Sequence, residues 1–272
     1  MTPAPAGQDA AVTDRALLAG SAYRTGRDLA ARQSLYRWQT PRHDLSGIVA
    51  GQLREVRGTA VDVGCGNGKF ITRLAADRPD LRVLGLDISP GILAGVPGAV
   101  AVADATGLPL REACADAALA LHMLYHVADI PAAVAELDRI LAPGGTVLVS
   151  ANSIRDKAEL DRLWERATGD IHGIPDGPPR ISLSARFALE KAPAFLGERF
   201  SRIETIALPG TISVTDPAPV VAHLQSYRAW AGQHDVPFAE TITRARDILT
   251  DHITARGSFD ITCLGGILTC TR

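Results

Sequence analysis

The chain predicts an α/β fold: a doubly wound, Rossmann-like sheet with a helical lid. Three observations carry that expectation. The β-branched Val61 and Val63, flanking the acid Asp62, lead straight into glycines at alternate positions, Gly64, Gly66 and Gly68. Two further apolar runs, LRVLGLD and AVAVAD, each end in an acid, Asp87 and Asp104. Between residues 44 and 152, strand-like and helix-like segments alternate, the pattern of parallel strands joined by helical crossovers.

The elements follow in order. Residues 1–15 are polar and read as a disordered tail, and 16–43 as one or two helices (ALLAGSAY, then GRDLAARQSLYRWQ) forming an N-terminal lid. The core, 44–152, holds strands ending at Val63, Asp87 and Asp104, then the loop GLPLREACAD and a fourth strand, AALALHML. The helix-like IPAAVAELDRIL follows, and the turn APGG introduces a fifth strand, TVLVSAN. Residues 153–200 read as a lid insertion: a helix over 156–168, a loop rich in glycine and proline, and a further helix over SLSARFALEKAPAFLGERF. From 201 to 272 the chain returns to the sheet with RIETIALP and FDITCLGGILTCT, separated by amphipathic segments at 218–230 and 239–256.

A strand that ends in alternate glycines brings a ligand against bare backbone, and a nucleoside cofactor is the first expectation. A dinucleotide fingerprint would place its third glycine at position 69, where Lys69 stands. Asp62 at the strand end would repel a pyrophosphate but attract an ammonium, which favours S-adenosylmethionine. Asp87 lies where a doubly wound fold puts a carboxylate against both ribose hydroxyls. Taken singly, each acid could instead cap a helix or open a turn.

With VDVGCGNGKF, GLDIS, ADATGLPL and RILAPGGTVLVS in this order, the chain resembles the class I S-adenosylmethionine-dependent methyltransferases, in particular the branch of ubiquinone and menaquinone methyltransferases. The resemblance covers residues 45–151 and implies a seven-stranded sheet whose last strand inserts antiparallel. It implies that Asp62, Gly64 and Gly66 hold the methionyl end, Asp87 the ribose, and Asp104 with Ala105 the adenine. Ile88, Leu121 and Tyr23 complete the expected cofactor contacts. The family's usual aromatic before the fourth strand is replaced by Cys114 and Ala115.

The reacting methyl should lie near the fourth-strand end, LHMLYH, since ligands sit outside the carboxyl ends of such strands. Enzymes of this class that methylate adenine or amides carry Asn/Asp-Pro-Pro-aromatic there; this chain has Leu121-His122-Met123-Leu124. His122 is the expected base or orienting group, with Tyr23 and Tyr125 as further catalytic candidates. A histidine simply hydrogen-bonded in the wall is the competing reading. His122 and His126 stand at ligand spacing, but no third metal ligand has recognisable spacing and no metal is expected. Of seven Tyr and Trp residues, Tyr23, Tyr36 and Trp38 precede the sheet. Tyr23 suits the sulfonium or the cofactor carboxylate. Tyr36, Trp38 and His126 suit an edge for a flat substrate, although anchoring of the lid helices accounts equally for Trp38.

Composition narrows the partners. The net charge is −2 with no basic run, which argues against a nucleic-acid surface, and no apolar stretch approaches a membrane span. The polar start lacks a leader's apolar core, and the four cysteines form neither a zinc nor a disulfide pattern, so a cytoplasmic protein is expected. The expected function is in-line methyl transfer from S-adenosylmethionine, yielding S-adenosylhomocysteine, to a small, aromatic, secondary-metabolite-type acceptor at O, N or C, with phenol and indole rings as candidates. The resemblance extends to actinobacterial natural-product methyltransferases. A non-catalytic S-adenosylmethionine-binding protein is the alternative, and a nicotinamide-dependent oxidoreductase a weaker one.

Overall fold

The computed structural model describes residues 6–233 and 236–272. Eight strands form one sheet in the order β1-β7-β8-β6-β5-β2-β3-β4. They are β1 (Gln39–Thr40), β2 (Gly58–Val63), β3 (Leu81–Asp87), β4 (Ala99–Val102), β5 (Ala115–Leu121), β6 (Leu141–Asn152), β7 (Arg202–Val214) and β8 (Phe259–Thr271). The run from β4 to β6 is parallel, and β8 inserts antiparallel between β6 and β7. The seven expected strands are present. The eighth, β1, is a two-residue pairing of Gln39 and Thr40 with Ile212 and Thr211, made by the end of the expected lid segment.

Both sheet faces are covered. Along β5 the side chains alternate: Ala118 and Ala120 pack beneath the helix Ile130–Ile140, while Ala117, Leu119 and Leu121 pack with Val49, Leu53 and Leu74 of the opposite layer. That alternation, rather than propensity, fixes which side of β5 faces which helix. Leu119→Ala is therefore expected to cost about 2–5 kcal/mol through lost burial and a residual cavity. Urea denaturation checks it; a loss below about 1 kcal/mol would mean the site collapses around the smaller side chain.

Helix starts are specified locally. Asp44 accepts from Gly47 N–H at 3.0 Å, and Asp129 accepts from Ala132 N–H at 2.9 Å with Pro131 in the first turn behind it. Ser89 stands at the same position before Pro90.

Four expectations are revised. Residues 6–13, taken as part of a disordered tail, form the helix Ala6–Thr13 with Ala11 and Val12 buried; residues 1–5 lie outside the described residues. The single helix expected over 182–200 is instead a 3-10 turn at Leu183–Arg186 and a short helix, Ala192–Leu196, entered through Pro193. Proline cannot donate within a helix interior, so the segment restarts there. Its buried Phe187, Leu196 and Phe200 join the layer over β5 and β6, so this half of the 153–200 insertion belongs to the core and not to a lid. Finally, β7 does not stop at Pro209, the end of the expected RIETIALP, but runs on to Val214, because β8 pairs with it all the way from Arg202 to Val214.

Candidate active site

The glycine turn after β2 is shaped for a ligand. Gly64, Gly66 and Gly68 have φ of 70°, 55° and 72°, and a Cβ on Gly64 would stand 2.7 Å from Met123. The turn is pinned to the neighbouring strand, since the N–H groups of Gly64 and Cys65 both donate to Leu86 O, at 2.7 and 3.0 Å. Asp87, at the end of β3, accepts from Gly66 N–H through Oδ2 and from Ser89 N–H through Oδ1, each at 2.9 Å. Each oxygen keeps acceptor capacity beyond its one backbone donor. Asp104 follows β4, with Oδ1 accepting from Thr106 N–H and Oγ1, and pairs with the exposed Arg15.

These groups open onto one cavity of about 500 Å³, within the range of small-molecule sites (~300–1,000 Å³). Gly64, Gly66, Asp87, Ile88, Asp104, Ala105 and Leu121 line it, as do Tyr23, Tyr36, His122, Tyr125 and His126. Two expected contacts do not. Trp38 is 40% exposed and lies outside the cavity lining, so it forms no aromatic edge with Tyr36. Asp62 points from β2 into the sheet layer beneath the turn, fully buried, with no hydrogen-bond partner on either oxygen among the described residues. Desolvation, with the Asp87 charge nearby, pushes its carboxyl up to about 8.

The N-terminal segment closes the cavity through specific contacts. His126 Nδ1 lies 2.9 Å from Val12 O, which requires a proton on Nδ1; Nε2 then accepts the Tyr23 hydroxyl at 2.6 Å. Burial raises the Tyr23 phenol, so it stays protonated as donor. Ser89 Oγ donates to Tyr23 O, and Asn67 donates to Gln33, tying residues 23–33 over the glycine turn.

Burial lowers His126 to about 4, which gives its contacts with the N-terminal segment a pH dependence. Its folded value lies below its unfolded one of about 6.5, so its contribution is complete above pH 6.5 and disappears as pH falls through 4. Thermal melts from pH 7.5 to 4.5 should show falling stability, and His126→Gln should flatten that slope. An unchanged slope in the variant would assign the loss to other groups.

His122 follows β5 with φ +54°, a left-handed conformation unusual for a residue other than glycine, its N–H donating to Ser150 O at 3.2 Å. Among the described residues its ring has no hydrogen-bond partner. Burial first, then the charges of Lys157 and Lys69, push it down to about 4. Across the cavity Lys157, itself at φ +59°, donates to the Tyr36 hydroxyl at 2.7 Å and pairs with Asp156, whose other oxygen accepts from Leu264 N–H. The Tyr36 hydroxyl and the Asp156 carboxylate hold Lys157 charged despite burial.

Lys157, Asp156, Arg32 and Arg180 line the cavity yet were not singled out from sequence. The available signal was Lys157 itself, one of only three lysines, standing shortly after the fifth strand.

The glycine turn, an acid at or beside each of three successive strand ends and a strand order with β8 inserted antiparallel are those of the class I S-adenosylmethionine-dependent methyltransferase fold. Residues 61–149 match the methyltransferase domain family. A malonyl-[acyl-carrier protein] O-methyltransferase from Serratia marcescens is 33% identical over 117 residues, 41% of this chain and 45% of that protein. A demethylmenaquinone methyltransferase from Roseiflexus castenholzii is 40% identical over 97 residues, 33% of this chain and 41% of that protein. The matches thus span less than half of these relatives. Among solved structures, a methyltransferase from an antibiotic biosynthesis pathway of Anabaena variabilis superposes with a TM-score of 0.56 at 17% identity, covering 83% of this chain and 97% of that one. YcgJ from Bacillus subtilis gives 0.53 at 14% identity over 85% and 99%. Both likenesses are of fold.

Proposed function

We propose that this chain transfers a methyl group from S-adenosylmethionine to a small aromatic acceptor of secondary-metabolite type, at O, N or C. The observation that carries the reading is the convergence of the glycine turn, Asp87, Asp104 and the His122 ring, unpartnered among the described residues, on one cavity walled by Tyr23, Tyr36, Tyr125 and Tyr227. The residues fit the cofactor: bare backbone at Gly64 and Gly66 for the methionyl end, spare acceptor capacity on Asp87 for ribose hydroxyls, and Asp104 with Ala105 at the far end for adenine. Asp62, buried with no hydrogen-bond partner among the described residues and its carboxyl raised to about 8, is neutral near pH 7 in the free protein, and a bound ammonium would favour its ionised form.

Bound S-adenosylmethionine supplies a methyl group on a sulfonium, a good leaving group for in-line displacement. The protein then has to align the acceptor, exclude water and take one proton. The Tyr23–His126 contact shuts the cavity on the lid side, the tyrosine rings offer faces for a flat acceptor, and the neutral His122 imidazole accepts a hydrogen bond or proton from it.

Among the described residues no helix is long and apolar enough to cross a membrane, and a cytoplasmic location is part of the same proposal. One relative, from Arabidopsis thaliana, is a tRNA (carboxymethyluridine(34)-5-O)-methyltransferase, 32% identical over 146 residues. A net charge of −2 and a cavity roofed by the N-terminal segment favour a free small molecule over a polynucleotide here. The test is methyl transfer from labelled S-adenosylmethionine to a panel of phenols, indoles and aromatic amines, with tRNA in parallel. Labelling of tRNA alone would overturn the acceptor class, and tight cofactor binding with no acceptor labelled would favour a non-catalytic binding protein.

A further inference from the structure

Arg32 is a buried cation without an anion among the described residues. It is 8% exposed, its Nη1 donates to Ser226 O at 2.8 Å, and its Nη2 is buried with no hydrogen-bond partner. Its guanidinium lies 5.1, 5.6 and 5.8 Å from the ring centres of Tyr23, Tyr227 and Trp230. Next to it His223 is 4% exposed, its ring near the Arg32 backbone but with neither nitrogen in full hydrogen-bond geometry among the described residues. Arg180 completes the corner, its guanidinium 4.9 Å from the Tyr227 ring centre and its Nε and Nη2 held by Asp161. Arg32, Arg180, His223 and Tyr227 all line the cavity.

A guanidinium nitrogen and an imidazole withdrawn from water with no hydrogen-bond partner among the described residues are costly unless a ligand supplies what they lack. What they lack in common is an acceptor. Arg32 can offer N–H groups in a planar fork and neutral His223 one further N–H, a donor set that matches a carboxylate more closely than a hydroxyl or an amide. The surrounding tyrosine and tryptophan rings suit the flat body of an aromatic acid.

The corner adjoins the expected cofactor position through Tyr23 but lies off the glycine turn. Leu29 and Gln33, on the same helix as Arg32, meet the glycine turn at Gly66 and Asn67. Arg32 lies among Tyr23, Ser226, Tyr227 and Trp230, and Arg180 comes from the insertion after β6, so every member of the corner lies outside residues 61–149. Resting on the methyltransferase reading, we infer that Arg32, Arg180, His223 and Tyr227 bind a carboxylate carried by the methyl acceptor. The substrate is then a small aromatic acid, anchored through its carboxylate apart from the atom that is methylated.

The test compares benzoate with its neutral isostere benzamide, titrated into protein saturated with S-adenosylhomocysteine and followed by calorimetry. Wild type should bind benzoate at least about tenfold more tightly, as hydrogen bonds to a charged group require. Arg32→Met should bring the two ligands to near-equal affinity while S-adenosylhomocysteine binding stays within about twofold of wild type. Equal binding of both ligands to wild type would overturn the inference. So would a large loss of S-adenosylhomocysteine affinity in Arg32→Met, which would give the corner to the cofactor's own carboxylate. If Arg32→Met does not fold, Arg180→Met and His223→Phe carry the comparison, each expected to narrow the benzoate preference. Failure of wild type to bind S-adenosylhomocysteine at all would count against the methyltransferase reading alone, and the benzoate comparison would then be made on the unloaded protein.

Discussion

Asp87→Ala is expected to weaken S-adenosylmethionine binding by roughly one to two orders of magnitude, about 1.5–3 kcal/mol, the cost of leaving polar hydroxyls without a charged partner. In the fold, Asp87 also has a structural role. Its Oδ2 holds Gly66 N–H and its Oδ1 holds Ser89 N–H, so the carboxylate shapes the turn it faces. Measurement separates the two roles. Calorimetry with S-adenosylhomocysteine and its 2′-deoxy analogue should show the missing hydroxyl weakening binding to wild type and costing the variant little. If both proteins lose equally on removal of the hydroxyl, Asp87 acts only on the turn and the ribose is held elsewhere. Unchanged affinity in the variant would move the nucleoside out of this cavity.

The strand-end groups proposed to hold the cofactor were legible because they are local. Gly64, Gly66, Asp87 and Asp104 each stand at a strand end, and the period-two pattern of apolar residues locates strand ends without knowledge of the tertiary fold. The groups proposed to hold the acceptor were not legible, for the opposite reason. Arg32, Lys157, Arg180 and His223 come from four separate segments and meet only after the chain folds; nothing in the sequence around Arg32 distinguishes it from Arg27 or Arg37, although Arg32 is buried and Arg27 is not. Trp38 shows the same limit from the other side. Its position beside Tyr36 suggested a shared role, but in the 3-10 turn Leu35–Trp38 neighbouring side chains diverge, sending Tyr36 to Lys157 and Trp38 to solvent. The tail is a third case. The segment AGQDAAVT is too short to be a stable helix alone and becomes one by docking, with Trp230 Nε1 donating to Ala11 O and His126 against Val12 O.

His122→Ala is expected to lower turnover at least about 100-fold, the bottom of the range for a general base, with S-adenosylmethionine affinity nearly unchanged. The ring lines the cavity at the end of β5, unpartnered among the described residues, on a backbone whose left-handed φ aims it away from the strand direction. Burial and the Lys157 charge hold it near 4, so it is neutral throughout the physiological range. Such a ring is too weak to ionise a phenol in advance. It suffices for a later event, because methyl transfer to a neutral oxygen makes that oxygen cationic and its proton far more acidic than before. The sign follows: the active form is the unprotonated ring, so turnover should be flat from pH 8 down to about 5 and fall as pH drops through about 4. In His122→Ala that acidic limb should vanish along with most of the rate, whereas a loss equal at every pH with the limb retained would make His122 a positioning residue. A wild-type limb near 6.5 would mean the ring is solvated in the working enzyme. If His122→Ala keeps most of the wild-type rate, the proton leaves by another route, and Tyr125 and the Lys157–Tyr36 pair on the facing wall become the residues to test.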